Sequence, residues 1–191
     1  MVNISHVSVS LPRNSNVLNR VYPTHKDDAE SLYEYARDPR VGPVAGWPVH
    51  TDVENSREII KNVLSAEETY AVCLKSDNRA IGSIGLMISG NAHLPLTDTE
   101  AELGYWIGVP FWGKGLIPEA GEEILRYAFE ELNLEKVWCG YFDGNEKSRR
   151  VQEKLHFQHE KTIENIPCQL IGDTRTCHYS SINKHLWKRD E

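Results

Sequence analysis

The feature that most constrains this chain is a glycine-lysine-glycine turn lodged between two segments of different period. In ELGYWIGVPFWGKGLIPEAGEEILRYAFEEL, Glu102 to Leu132, the residues before the turn read as a strand. Those after it place Ile117, Ala120, Ile124, Leu125, Ala128 and Leu132 at helical spacing. A joint of this kind needs a bare, flexible backbone, which glycine supplies. Gly113, Lys114, Gly115, Leu116 and Ile117 then offer consecutive N–H groups as the helix begins. Pro118 falls at a first-turn position, where its missing N–H costs nothing. Such a nest, with the helix dipole behind it, suits phosphate.

Two phosphate ligands compete with a turn that holds nothing. Gly108 to Lys114 satisfies GxxxxGK, the front of a nucleotide-triphosphate P-loop. Gly115 follows, however, where that loop needs a Ser or Thr hydroxyl for magnesium. Val109, Pro110, Phe111 and Trp112 are bulky for a loop that curls around phosphate, and Pro110 has no N–H to offer. A pyrophosphate whose long arm runs back along the preceding strand describes coenzyme A, and Gly113 to Ile117 would hold it without a metal. A glycine-rich turn without a ligand accommodates the same residues.

The rest of the chain supplies a mixed set of elements. Residues 1–20 read as an irregular arm, and 21–191 as one domain without internal repeat or linker. KDDAESLYEYARDP puts Ala29, Leu32, Tyr33 and Ala36 on one helical face before Pro39. RVGPVAGWPVH is a punctuated loop carrying Trp47. TDVENSREIIKNVL has Thr51 and Glu54 at capping-box spacing, with Ile59, Ile60, Val63 and Leu64 as the buried stripe. TYAVCLK and AIGSIGLMI read as a hairpin, NAHLPLTD as a loop and EAELGYWIGV as a strand. EKVWCGYF is a further strand, NEKSRRVQEKL a helix capped by Asn145, and TCHYSSINKHLW the last of two closing strands. The order indicates an α/β (α+β) chain with helices packed on a mixed sheet.

Composition narrows the function classes. Lys plus Arg total 21 against 28 for Asp plus Glu, a net charge of −7, which argues against non-specific nucleic-acid binding and leaves room for a cationic small substrate. No apolar run reaches the length of a membrane span, and no signal-peptide pattern opens the chain. Cys73, Cys139, Cys168 and Cys177 have no CxxC spacing, as expected of buried thiols in a reduced, cytoplasmic protein. His156 and His159 with Cys168, Cys177 and His178 match no closed zinc pattern, so no metal is expected.

From about Asp27 to Trp187 the chain resembles the GNAT acetyltransferase superfamily, and within it the ribosomal-protein N-acetyltransferase-like (RimJ/RimL-like) branch. The residues that carry the resemblance are YARDPRV…GWP, ELGYWIGVPFWGKGLIPEA, LRYAFEELNLEKVWCGYFDGNEKSRRVQEKLHF and the closing Trp187. Three positions depart from the wider family pattern. Pro110 stands where Gln or Arg usually begins the glycine loop. His156 replaces a helix-ending Gly. Of the expected first strand only Val21 to Pro23 is recognisable. The resemblance implies a mostly antiparallel sheet of about six to seven strands, splayed at the cofactor site, with helices on both faces. It implies acetyl-CoA as cosubstrate and transfer of the acetyl group to a primary amine, by direct attack in a ternary complex. A homodimer is compatible with it. A GNAT-like module that binds acyl-CoA as a sensor, without turnover, is the alternative.

Carried over residue by residue, the resemblance assigns the pantetheine strand to Ile107, Gly108 and Val109, with Trp106 before them. The phosphate turn is Gly113 to Ile117, and Asn145 contacts the arm besides capping its helix. Ser148, one turn on, is by resemblance to this branch the candidate acid at the departing sulfur; the Tyr that other GNAT enzymes often use four residues later is Gln152 here. Arg149, ahead of Arg150, joins Lys114 as a phosphate partner. Glu102 is the leading candidate base, with Glu100 and Glu160 as rivals, and Trp47 borders the acceptor. At pH 7 an α-amine is roughly 10–15% neutral and a lysine side chain about 4 parts in 10,000, so an N-terminal amine needs only a weak base. Protein N-termini, polyamines, antibiotics and amino acids all remain open as acceptors.

Overall fold

The computed structural model describes residues 18–23, 26–88 and 92–187, with 18–23 and 26 described by backbone alone. The strands are β1 (Leu18–Pro23), β2 (Thr69–Leu74), β3 (Ala80–Ile88), β4 (Glu100–Ile107), β5 (Lys136–Phe142), β6 (Gln158–Cys168) and β7 (Asp173–Asn183). They form one sheet in the order β1-β2-β3-β4-β5-β7-β6. Every neighbouring pair is antiparallel except β4–β5, the pair that a helical crossover joins. That crossover is α3 (Leu116–Arg126), widened at its end into a π turn over Tyr127–Glu131. The other helices are α1 (Ala29–Ala36), α2 (Val53–Ile59) and α4 (Glu146–Lys154).

Helices cover both faces of the sheet, and alternation along β2 shows it. Val72 is buried with Leu116, Ala120, Ile124 and Phe129 of the α3 side. Its neighbours Ala71 and Cys73 point the other way, onto Ala29, Leu32 and Ile60. Phe129 is fully buried and meets Trp187 at 5.6 Å between ring centroids, which ties the end of the chain to the core. Burying a side chain of that size contributes about 1.5–3 kcal/mol. Gly121 of α3 lets α4 approach closely, since a Cβ there would stand 2.6 Å from Leu155 Cδ1.

The structure corrects four details of the sequence reading. Leu18 to Arg20, assigned to the N-terminal arm, belong to β1, and residues 1–17 of the arm lie outside the described residues. In α1 the buried aromatic is Tyr35, whose ring packs edge-on to Phe111, whereas Tyr33 reaches out to the carbonyl of Thr51. The cap of α2 is Asp52, which accepts from the Asn55 N–H, while Asn55 Oδ1 accepts from the Thr51 N–H. The box is thus displaced by one residue and uses a shorter partner than Glu54. A π turn over Ile60–Leu64 then rotates Val63 outward to 58% exposure, so only Ile60 of the expected stripe is buried.

The departure at His156 has its expected geometry. Helix α4 ends there at φ 63°, with the His156 N–H bonded to Glu153 O and the Phe157 N–H to Gln152 O. Such a left-handed cap favours glycine. His156→Gly should therefore raise stability by about 0.5–1 kcal/mol, or roughly 1–4 °C in Tm, with unchanged secondary structure by circular dichroism.

Candidate active site

The sheet is not closed through its middle. β4 and β5 pair only at Glu100 with Lys136, Ala101 with Val137 and Glu102 with Trp138. Beyond that point Leu103–Ile107 and Cys139–Phe142 diverge, and a cleft of about 1300 Å³ opens between them. β4 keeps its ladder to β3 as far as Ile107, so only its β5-facing edge loses its strand partner. Tyr105 stands in the gap. Its ring spans to α4, where Oη donates to Ser148 O at 3.1 Å and lies 2.9 Å from Ser148 Oγ.

At the β4 end of the cleft lies the glycine turn. Gly113 and Gly115 adopt φ 73° and 78°, and a Cβ on either would meet nothing within 4 Å. Both therefore present an open backbone face, and Leu116, Ile117 and Pro118 line the same cleft as α3 begins. Val109–Phe111 form a 3-10 turn, and the Trp112 indole N–H donates to Ile107 O at 2.9 Å. Ile107 reaches the cleft wall, but Gly108 is structural: its N–H bonds Ile81 O and a Cβ would strike the Tyr35 ring at 2.7 Å. Gly108 and Val109 are absent from the wall. Lys114 Nζ extends over the Phe111 ring at 5.5 Å.

Helix α4 forms the facing wall. Asn145 Oδ1 accepts from the Ser148 N–H at 3.2 Å, so the capping bond fixes Ser148 on the cleft side. Asn145, Lys147, Ser148, Arg150, Val151 and Lys154 line the cleft. Arg149, preferred from sequence, instead points outward and pairs with Glu146 and Glu153. Helical spacing allowed either arginine, and the two intrahelical carboxylates decide between them. Gln152 is buried at 2% exposure beside the Tyr105 hydroxyl, with neither amide atom hydrogen-bonded. Burial raises the Tyr105 phenol well above its ordinary range, so it remains a proton donor to Ser148.

The opposite end of the cleft is polar and tightly held. Glu102 is 4% exposed, and its two oxygens accept from the backbone N–H of His93 at 2.7 Å and meet His93 Nδ1 at 3.2 Å. The rivals of Glu102 serve the scaffold. Glu100 accepts from Thr97 and from the Trp138 indole, and Glu160 from Ser181 and Lys136; neither lines the cleft. Trp47 does line it, edge-on to Trp106 at 5.7 Å, on a loop held by Arg175 donating to Pro43 O at 2.6 Å. Cys139, Cys168 and Cys177 also face the cleft. His178 and His159 turn to the other face and bond Thr162, and among the described residues no metal-binding group of three His, Cys, Asp or Glu forms.

Sequence reasoning missed His93, Tyr105 and Lys147. Tyr105 carried no local signal, because Ser148 lies 43 positions away on another element. His93 carried none, because its partner lies nine residues away across a loop.

A sheet opened between two parallel strands, with a glycine turn at one end and a capped helix opposite, defines an acyltransferase of the GNAT type. The chain matches the Acetyltransferase (GNAT) domain family over residues 20–158 and belongs to that family. It is an N-acetyltransferase. The N-acetyltransferase p20 of Bacillus licheniformis, uncharacterized, is 30% identical over 139 residues, covering 70% of this chain and 75% of that protein. YdaF of Bacillus subtilis, provisionally named a ribosomal N-acetyltransferase, is 46% identical over 79 residues, 41% of this chain and 43% of its own. Among solved structures, a GNAT-family acetyltransferase from Bacillus anthracis superposes with TM-score 0.76 at 23% identity, covering 89% of this chain and 96% of that one. Mycobacterium smegmatis RimJ, solved with CoA-disulfide, gives 0.67 at 19% identity, covering 88% and 86%.

The thiols at the cleft offer a direct check of its geometry. Burial pushes Cys177 up to about 11 and Cys139 further still. At pH 8 about one Cys177 in 1,000 is thiolate when folded, against about one in four when unfolded, near a pKa of 8.5. Iodoacetamide labelling mapped by mass spectrometry should be at least 100-fold slower at Cys139 and Cys177 in native protein than in denaturant. The native rate at Cys177 should climb about tenfold per pH unit toward pH 11.

Proposed function

We propose that the chain transfers an acetyl group from acetyl-CoA to a primary amine, by direct attack in a ternary complex, in the cytoplasm. One observation carries the reading: the open edge of β4, the bare faces of Gly113 and Gly115, and Ser148 all border a single cleft. The fit to acetyl-CoA rests on that turn, where a side chain would fill the space a diphosphate needs. When bound, acetyl-CoA supplies an acetyl thioester activated toward amines.

The residues present suit each part of that substrate. Backbone N–H groups from Gly113 to Ile117, at the N-terminus of α3, would hold the diphosphate, assisted by Lys114, Lys147 and Arg150. The unpaired edge of β4 through Ile107 would take the arm as an added strand and align the carbonyl, aided by Asn145. Ser148 is set to hydrogen-bond the departing sulfur, with the Tyr105 hydroxyl 2.9 Å from Ser148 Oγ holding the serine side chain in place. Glu102 marks the acceptor end, and Trp47 lines the same cleft against Trp106. A protein N-terminal amine is the favoured acceptor, because it is partly neutral at pH 7 and because YdaF carries the name of a ribosomal enzyme. Four free, buried cysteines support the reducing compartment.

Calorimetry with acetyl-CoA and desulfo-CoA tests the cofactor half, and thiol release with a panel of tetrapeptides and polyamines tests transfer. Gly113→Val should weaken acetyl-CoA binding at least tenfold by blocking the close backbone approach. Ser148→Ala should lower kcat about 10–100-fold with acetyl-CoA affinity nearly unchanged, and Tyr105→Phe should lower it less. Equal loss of binding and turnover in Ser148→Ala would show that the serine only builds the pocket.

A further inference from the structure

We infer that His93 is the group that takes the proton from the acceptor amine, and that Glu102 is the buried carboxylate that positions its ring. The inference rests on the acetyl-transfer reading and assigns the acceptor half of that site. Glu102 has no oxygen left unengaged. Oε2 accepts the His93 backbone N–H, and Oε1 meets ring Nδ1. At 4% exposure the carboxylate lies beneath the imidazole, whose side chain is 71% exposed while still lining the cleft. An incoming ammonium therefore reaches the imidazole before the carboxylate.

The pairing also selects the tautomer. A carboxylate at Nδ1 holds the proton there and leaves Nε2 with a free lone pair, an arrangement that lets one nitrogen be anchored while the other accepts. In the step, an N–H proton of the acceptor ammonium passes to Nε2. The freed nitrogen lone pair forms the bond to the thioester carbonyl carbon, the C–S bond breaks, and the nitrogen gives up a second proton as the departing thiolate takes one, leaving a neutral amide and a free thiol. Imidazolium then returns its proton to solvent, which its exposure permits.

The surroundings favour this use of the pair. Among the described residues Glu102 is the charged group acting on His93, and its hydrogen bond raises the imidazole pKa. On the cleft floor Cys139 of β5 and Cys177 and Tyr179 of β7 come under the Glu102 charge; burial keeps all three protonated and neutral, and Met87 of β3 is apolar. A base lifted above 6.5 moves toward the range of an α-amine, and it works as pH rises through its own pKa.

The test combines NMR titration of the His93 ring with transfer kinetics and acetyl-CoA calorimetry on wild type, His93→Gln, His93→Gly and Glu102→Gln. The ring should titrate above 6.5 in wild type and lower in Glu102→Gln. With the best amine from a panel of Ala-, Ser- and Met-initiated tetrapeptides and spermidine, His93→Gln should lose about 10–100-fold in kcat/KM at pH 7. That variant's rate should then rise tenfold per pH unit up to the amine's own pKa, closing the gap with wild type. Imidazole should restore part of the His93→Gly activity, and acetyl-CoA affinity should stay within twofold throughout. Wild-type rate and pH profile in His93→Gln, or a ring that titrates at 6.5 whether or not Glu102 is present, overturns the assignment. Failure of wild type to bind acetyl-CoA would instead sink the acetyl-transfer reading, a separate outcome.

Discussion

The rest of the structure depends on one broken ladder. β4 and β5 hold together for three residue pairs and then part, so that two strands in the middle of the sheet expose facing edges. Elsewhere, unpaired backbone inside a sheet would carry a large desolvation cost. Here the cost is contained because β4 keeps its full antiparallel ladder to β3 and β5 its own to β7. The gap is braced by Tyr105, which reaches across to Ser148 on the helix that follows β5. Each strand of the opening is thus laddered on its outer side and unpaired on its inner edge, the condition for strand addition.

Around that opening, charges are sorted by position. Lys147 of α4 lies 4.4 Å over the Trp112 ring beside the glycine turn, where a helix N-terminus already favours anions, and Arg150 and Lys154 line the same cleft. Glu102, the one buried carboxylate lining the cleft among the described residues, sits at the far end, where the strands separate. Neighbouring acids are withdrawn from competition by structural bonds, Glu100 to Thr97 and Trp138, Glu160 to Ser181 and Lys136. An overall charge of −7 gave no hint of this separation. It arises from which face of α4 turns inward.

Much of the architecture was legible beforehand. The hairpin, the strand before the turn, the amphipathic α3 and the Asn145 cap follow from local period and side-chain chemistry, and each stands where the pattern placed it. Three of the misreadings share one cause. Tyr33 in place of Tyr35, Val63 counted in the same buried stripe as Ile60, and Arg149 ahead of Arg150 are assignments of a face on one helix, and small changes of winding or partner reverse them. β1 was partly hidden because its residues lack the alternation that marks a half-buried strand, and pairing with β2 compensates.

What the sequence determined by itself is the local chemistry: a left-handed, side-chain-free turn at Gly113 and Gly115, a helix beginning directly after it, and a capped helix at Asn145. These depend on φ preferences and contacts within a few residues, which the order of amino acids specifies directly. Only the tertiary structure decided that Tyr105 meets Ser148, 43 positions away, that Glu102 is roofed by His93, and that Gly108 supports Tyr35 instead of facing the cleft. Those meetings depend on strand register and on where the β4–β5 pairing stops, and no local pattern records either.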